Sequence, residues 1–131
     1  MSTNERVLAE LSPQQIDEIV AAVHFDDGGL VPTVVTQFDT GELLMLAYMS
    51  DASLRRTLAE RRAVYWSRSR QELWRKGDTS GNTQRVVALA VDCDADSLHL
   101  EVDQHGPACH TGTRTCFDGD PLAVRFTAPD A

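Results

Sequence analysis

Residues 33–49 read Thr33-Val34-Val35-Thr36-Gln37-Phe38-Asp39-Thr40-Gly41-Glu42-Leu43-Leu44-Met45-Leu46-Ala47-Tyr48-Met49. Two strand-forming runs flank an Asp-Thr-Gly break, which specifies a hairpin: Thr33–Phe38 as one strand, Asp39-Thr40-Gly41 as the turn and Glu42–Met49 as the other strand. Before it the period is helical. Ser12 can cap, Pro13 suits the first turn, Gln15 can close a capping box, and Ile16, Ile19, Val20 and Val23 make one apolar stripe. Gly28-Gly29 is expected to end that element. After the hairpin, Ser50 caps a short helix running to Arg61, with Leu54 and Leu58 facing inward. Strands follow at Ala63–Ser67, Arg85–Asp92 and Leu98–Val102, joined by Gly77–Asn82 and Cys93–Ser97. The fold class is α+β, mainly antiparallel strands with two short covering helices; antiparallel, because no long helical crossovers are available.

The 131 residues fit one domain, 1–131, with loose ends expected at about 1–5 and 127–131. A chain near this size buries roughly 65–70% of its unfolded surface, enough for a core. No apolar run approaches the roughly 20 residues of a membrane span. The start, Met1-Ser2-Thr3-Asn4-Glu5-Arg6, lacks a secretory layout, so a cytoplasmic protein is expected. Twelve basic against twenty acidic residues give a net charge of −8. Such a surface repels nucleic-acid phosphates at long range, which argues against a general nucleic-acid partner. Three cysteines cannot pair off internally. In a cytosolic chain, thiols serve metal binding, catalysis or simple burial.

Three segments can carry chemistry. The first is Asp92-Cys93-Asp94-Ala95-Asp96, where the apolar strand runs out. If extended geometry continues, Asp92, Asp94 and Asp96 share one side and Cys93 points to the other. Carboxylates so close repel one another unless a cation compensates, and a hard, oxygen-preferring ion such as Mg²⁺ is the natural one. A solvated acidic turn is the plainer reading. The second segment is Gln104-His105-Gly106-Pro107-Ala108-Cys109-His110-Thr111-Gly112, followed by Cys116. Six residues separate Cys109 from Cys116 and fifteen separate Cys93 from Cys109, which is no zinc-finger spacing. Three thiolates can still hold Zn²⁺ and leave a fourth position open. His110 could shuttle a proton, be a fourth ligand, or be an ordinary loop histidine.

The third segment runs from Tyr65-Trp66-Ser67-Arg68-Ser69-Arg70 through Leu73-Trp74-Arg75-Lys76-Gly77-Asp78-Thr79-Ser80-Gly81-Asn82. Five basic residues between Arg68 and Arg85 reverse the sign of an acidic chain. Basic groups, hydroxyls and a glycine-containing loop suit phosphate recognition, and the indoles can pack on a flat heterocycle. The segment is no P-loop, and an ordinary strand and loop with core tryptophans is the alternative.

Taken in order, these blocks resemble the phosphoribosyl-AMP cyclohydrolases of histidine biosynthesis. The likeness spans roughly Gly29 to Phe117. It rests on Met45-Leu46-Ala47-Tyr48-Met49, Tyr65–Arg70, Leu73–Gly77, Thr79-Ser80-Gly81, Asp92–Asp96 and Ala108–Gly112. Thr115 departs from it, since serine is more familiar before Cys116. The resemblance implies an enzyme that hydrolytically opens the purine ring of 1-(5-phosphoribosyl)-AMP between N1 and C6. It implies zinc on Cys93, Cys109 and Cys116 and magnesium on Asp92, Asp94 and Asp96. It also implies a homodimer, intertwined so that Cys93 of one chain meets Cys109 and Cys116 of the other. Within that frame His110 is the candidate proton carrier, Arg68, Lys76 and Ser80 hold substrate oxygens, and Trp66 or Trp74 lines the base pocket. Some relatives are fused to a pyrophosphohydrolase; with fifteen residues after Cys116, that activity is expected on another chain. The competing classes are a purine or pyrimidine deaminase, whose His-x-Glu and Pro-Cys-x-x-Cys elements are missing, and a non-enzymatic zinc-stabilised module.

Overall fold

The structure, a computed structural model, describes residues 10–118 together with 124, 126 and 127. Of the expected loose ends at 1–5 and 127–131, all but Thr127 lie outside the described residues. Helix α1 spans Pro13–Ala22, and its Ser12 capping box forms as the sequence predicts. It stops at the Val23 cap, well before Gly28-Gly29, which instead turn the chain into the first strand. Asp26 Oδ1 organises that turn by accepting the Gly28 and Leu30 N–H groups.

Strands β1 (Leu30–Gln37) and β2 (Leu43–Ser50) form the expected antiparallel hairpin. Gly41 supplies the positive φ of 75° that closes its turn. The ladder shifts register between Val35 and Thr36, which are paired with Met45 and Leu43. Leu44 is therefore an extra residue, and the bulge lets Leu44 and Met45 both face inward. Helix α2 (Asp51–Glu60) follows under a Ser50–Ser53 capping box and ends at Arg61 in the left-handed region. Strands β3 (Val64–Ser67) and β4 (Glu72–Arg75) make a separate small hairpin, followed by β5 (Gln84–Val91) and β6 (Leu98–Gln104).

The larger sheet has the order β2-β1-β6-β5. Its antiparallel pairs are as expected, but β1 and β6 run parallel, from Thr33↔Leu98 to Gln37↔Val102. The crossover exists; it is the whole of residues 38–97, including α2 and the small hairpin, rather than one long helix. Ile16 and Val20 of α1 and Leu54 and Leu58 of α2 join Val31, Val35, Leu98, Leu100 and Val102 in one core. Each such fully buried side chain contributes about 1.5–3 kcal/mol. No described helix is long and apolar enough to cross a membrane.

A polar thread runs through this core. The Tyr65 hydroxyl donates to Gln84 Oε1, and Gln84 Nε2 donates to Gln104 Oε1. Gln104 Nε2 reaches the His105 carbonyl, and the Gln104 N–H donates to Gln37 Oε1. The small hairpin is thereby fixed to the sheet, and so is the Gly77–Asn82 loop that follows it. At Gly77, with φ +90°, an added Cβ would stand 2.6 Å from the Thr83 backbone; at Gly41, with φ +75°, it would meet nothing. Gly41→Ala should cost about 1–2 kcal/mol from backbone strain alone. Gly77→Ala should cost at least about 3 kcal/mol, because strain and collision add. Equal losses in thermal or urea unfolding would contradict this packing.

Candidate active site

One depression of about 1030 Å³ opens between β2, the β3–β4 hairpin, the Gly77–Asn82 loop and the loop carrying Cys109 and His110. The sequence places Trp66 and Arg68 at successive points of its wall. Extended geometry does not continue past Ser67, however, and residues 68–71 are a turn, with Gln71 at φ 55°. The Arg68 guanidinium instead lies 3.9 Å over the Tyr48 ring of β2, and Arg70 approaches Glu72 at 3.6 Å. Trp74 packs on Tyr65 with ring centroids 5.7 Å apart and has Lys76 on it at 5.2 Å. Arg75 is engaged by both Glu60 and Asp78. Ser80 Oγ accepts the Asn82 N–H within a loop closed by Gly81 N–H to the Gly77 carbonyl, 2.8 Å.

Lys76 differs from its basic neighbours. It is only 5% exposed, and its ammonium donates to the Ala108 carbonyl at 2.5 Å. Burial lowers its pKa, opposed by the nearby Cys116 and Cys109 sulfurs. Lys76 is also among the residues that line the depression.

The thiol loop is held by backbone bonds from Ala108 to Arg114 and from Cys109 to Thr113, and the Cys116 N–H donates to the Leu44 carbonyl at the β2 bulge. Cys109 Sγ lies 3.0 Å from Thr111 Oγ1. Hydrogen bonding from the Thr111 side chain and backbone, and then from Thr113, lowers the Cys109 pKa to about 6. Cys116 is its neighbour, held above its ordinary value by desolvation of the sulfur and by Cys109. Thr111 and Thr113 were not among the site residues read from sequence; the only available signal was hydroxyls two and four places after a cysteine. His110 is exposed on the same depression.

Cys93 and the aspartates lie elsewhere. Strand β5 ends at Val91, and Asp92–Asp96 form a tight turn in which Ala95 takes φ 61°. The predicted extended continuation, with three carboxylates on one side, is therefore corrected. Asp92 Oδ1 accepts the Asp96 and Ser97 N–H groups, and Asp94 contacts Cys93 Sγ at 3.5 Å. A hydrogen bond with Asp92 and the charge of Asp92 hold the Asp96 carboxyl above the usual range. Among the described residues, no three His, Cys, Asp or Glu side chains come together to hold a metal ion. One chain thus joins Cys109 to Cys116 but does not bring Cys93 to them.

An ionised thiol, a neighbouring histidine and a cationic aromatic wall around one depression define an enzyme acting on a small molecule. A family model described as phosphoribosyl-AMP cyclohydrolase matches residues 45–118. The chain belongs to the phosphoribosyl-AMP cyclohydrolase family. It is 62% identical over 112 residues to the phosphoribosyl-AMP cyclohydrolase of Thermobifida fusca, covering 85% of this chain and 97% of that one. It is 64% identical over 104 residues to the enzyme of that name from Renibacterium salmoninarum, covering 79% and 78%. With the one from Frankia alni the identity is 53% over 118 residues, covering 89% of each.

The two thiols should titrate apart. With metal chelated, alkylation of Cys109 should rise through a midpoint at about pH 6 and level off near neutrality, because the thiolate is the nucleophile. Cys116 should keep accelerating above the ordinary thiol range. Peptide mass spectrometry of timed samples reads both; coincident profiles would contradict the hydrogen bonding described.

Proposed function

We propose that this chain hydrolyses the N1–C6 bond of 1-(5-phosphoribosyl)-AMP, in the cytoplasm, as a step of histidine biosynthesis. The observation that carries this reading is that ionised Cys109 and His110 open onto the same depression as Trp66, Arg68 and the Thr79-Ser80 hydroxyls. Substitution at N1 leaves the purine cation-like, so C6 is open to attack by water. Trp66 offers a flat wall to the base, and Arg68 and Ser80 offer donors to phosphate and ribose oxygens. His110 takes a proton from the attacking water and delivers one to N1 as the N1–C6 bond breaks. The water oxygen stays on C6, so the atoms balance as a hydrolysis.

Cys109 and Cys116 are adjacent sulfurs, one already ionised, and suit zinc; the third thiolate in this reading is Cys93 of a second copy. When bound, zinc supplies Lewis acidity that lowers the pKa of a water toward neutrality. Magnesium suits the hard oxygens of Asp92, Asp94 and Asp96, since it commonly takes one or two carboxylates plus substrate oxygens and water. Cys93 and these aspartates share one turn, so a second copy that brings Cys93 also brings the carboxylates. The face of the large sheet away from the core supports such a pairing: Val34 and Leu46 are register partners there, 38% and 50% exposed.

The test is loss of the purine chromophore on adding 1-(5-phosphoribosyl)-AMP to zinc-loaded protein. Absence of turnover by folded, loaded protein would overturn the reading. His110→Ala should keep zinc and lose activity by a factor on the order of 10²–10⁴. Loss of zinc would make His110 a ligand, and full activity would remove it from the chemistry.

Sharing of the site has its own test. Cys93→Ala and Cys109→Ala chains should each be inactive alone. Co-expressed, they pair at random into about half mixed dimers with one intact site each, restoring about a quarter of wild-type activity. Mixed dimers that form yet stay inactive and bind no extra zinc would disprove the shared site.

A further inference from the structure

The chain has eleven arginines and a single lysine, Lys76. That lysine is the one buried basic side chain among the described residues. Its backbone is fixed on both sides: its N–H donates to the Ala63 carbonyl at 3.0 Å, and its own carbonyl accepts from Arg62 at 3.1 Å. Gly77 follows directly, with no room for a Cβ. From this fixed base the ammonium crosses to the Ala108 carbonyl, with the Trp74 ring on one side and the Cys116 and Cys109 sulfurs nearby. An arginine would bring a planar fork of five donors, whereas the compact ammonium suits this one acceptor and one aromatic face.

The far end of the bond matters as much. Ala108 is 1% exposed and immediately precedes Cys109 and His110. The thiol loop closes on itself through Arg114 and Thr113; it touches β2 through Cys116 and the residue just before β2 through the Arg114–Glu42 pair. The Lys76–Ala108 bond spans from the hairpin wall to the Cys109 end of that loop. Breaking it leaves a buried carbonyl without its charged donor and frees one wall of the depression relative to the other.

We infer that Lys76 is a positioning residue: its ammonium ties Ala108 to the β3–β4 hairpin and so sets Cys109 and His110 against the substrate wall, without itself touching a substrate phosphate. This rests on the proposed function only in taking the Cys109–His110 loop as the reacting one.

Lys76→Met keeps the aliphatic stem and removes the donor. It should lower kcat by about 10- to 100-fold while KM stays within about threefold, because a misplaced reacting group affects the transition state more than binding. Amide hydrogen exchange at Cys109 and Gly112 should speed up, while Val35 and Leu100 in the sheet keep their protection. A raised KM with unchanged kcat would make Lys76 a substrate contact and overturn the inference; so would unchanged kinetics and exchange. If the variant fails to fold, the wild-type protein decides. Its one lysine gives one side-chain ammonium signal in ¹⁵N spectra, which should be visible at mildly acidic pH because the hydrogen-bonded protons exchange slowly. A signal lost to fast exchange would show an open ammonium and sink the inference. The spectra and the amide exchange need no turnover, so a protein inactive on the proposed substrate would fail that reading alone.

Discussion

A buried amide must find a partner inside the protein or cost about 1–3 kcal/mol. Three glutamines sit in this core, Gln37, Gln84 and Gln104, with the Tyr65 hydroxyl beside them. The arrangement of elements satisfies them together. The small hairpin supplies the tyrosine, β5 and β6 supply facing amides, and β1 supplies the carbonyl oxygen that accepts the Gln104 N–H. Apolar packing is non-directional; the hydrogen-bonded thread is directional and ties the hairpin to one height along the sheet, which the wall of the depression inherits.

The site is correspondingly built from two kinds of order. The hairpin and the Gly77–Asn82 loop are positioned by interior hydrogen bonds and by a glycine that admits no side chain. The thiol loop is positioned at three isolated points, a lysine ammonium, a strand-bulge carbonyl and the exposed Arg114–Glu42 pair. Hydroxyls of Thr111 and Thr113 then adjust the Cys109 sulfur locally, without burying it. Such a loop can present an ionised thiol to solvent and to a ligand, which a core position could not do at comparable electrostatic cost.

Much of the fold could be read locally. The Asp-Thr-Gly turn, the Ser12 and Ser50 capping boxes and the inward Leu54 and Leu58 are short-range signals, and each is found where its pattern puts it. Strand β4 leaves no such signal, because Glu72–Arg75 has one exposed and three half-buried residues and no alternation. The parallel β1–β6 pair was missed because a crossover of mixed elements leaves no periodic trace. At the site, the sequence marks Cys109, His110, Trp66 and Arg68, which the structure brings to one depression. It does not say that Lys76, next to Arg75 in a basic run, points inward. Nor does it say that Asp92 folds its carboxylate back onto the Asp96 and Ser97 amides; Asp-rich segments look alike whether extended or turned.

The extra residue in β2 illustrates a trade between regularity and attachment. Leu44 stands outside the one-to-one pairing with β1, and its carbonyl takes the Cys116 N–H. A chain shortened by that single residue could run as an unbroken ladder, with Leu43 and Met45 brought into simple alternation. The sheet would gain symmetry and the thiol loop would lose an anchorage. The irregular strand is thus the socket into which the thiol loop is plugged, and insertions or deletions near Leu44 are constrained by a segment more than seventy residues further along the chain.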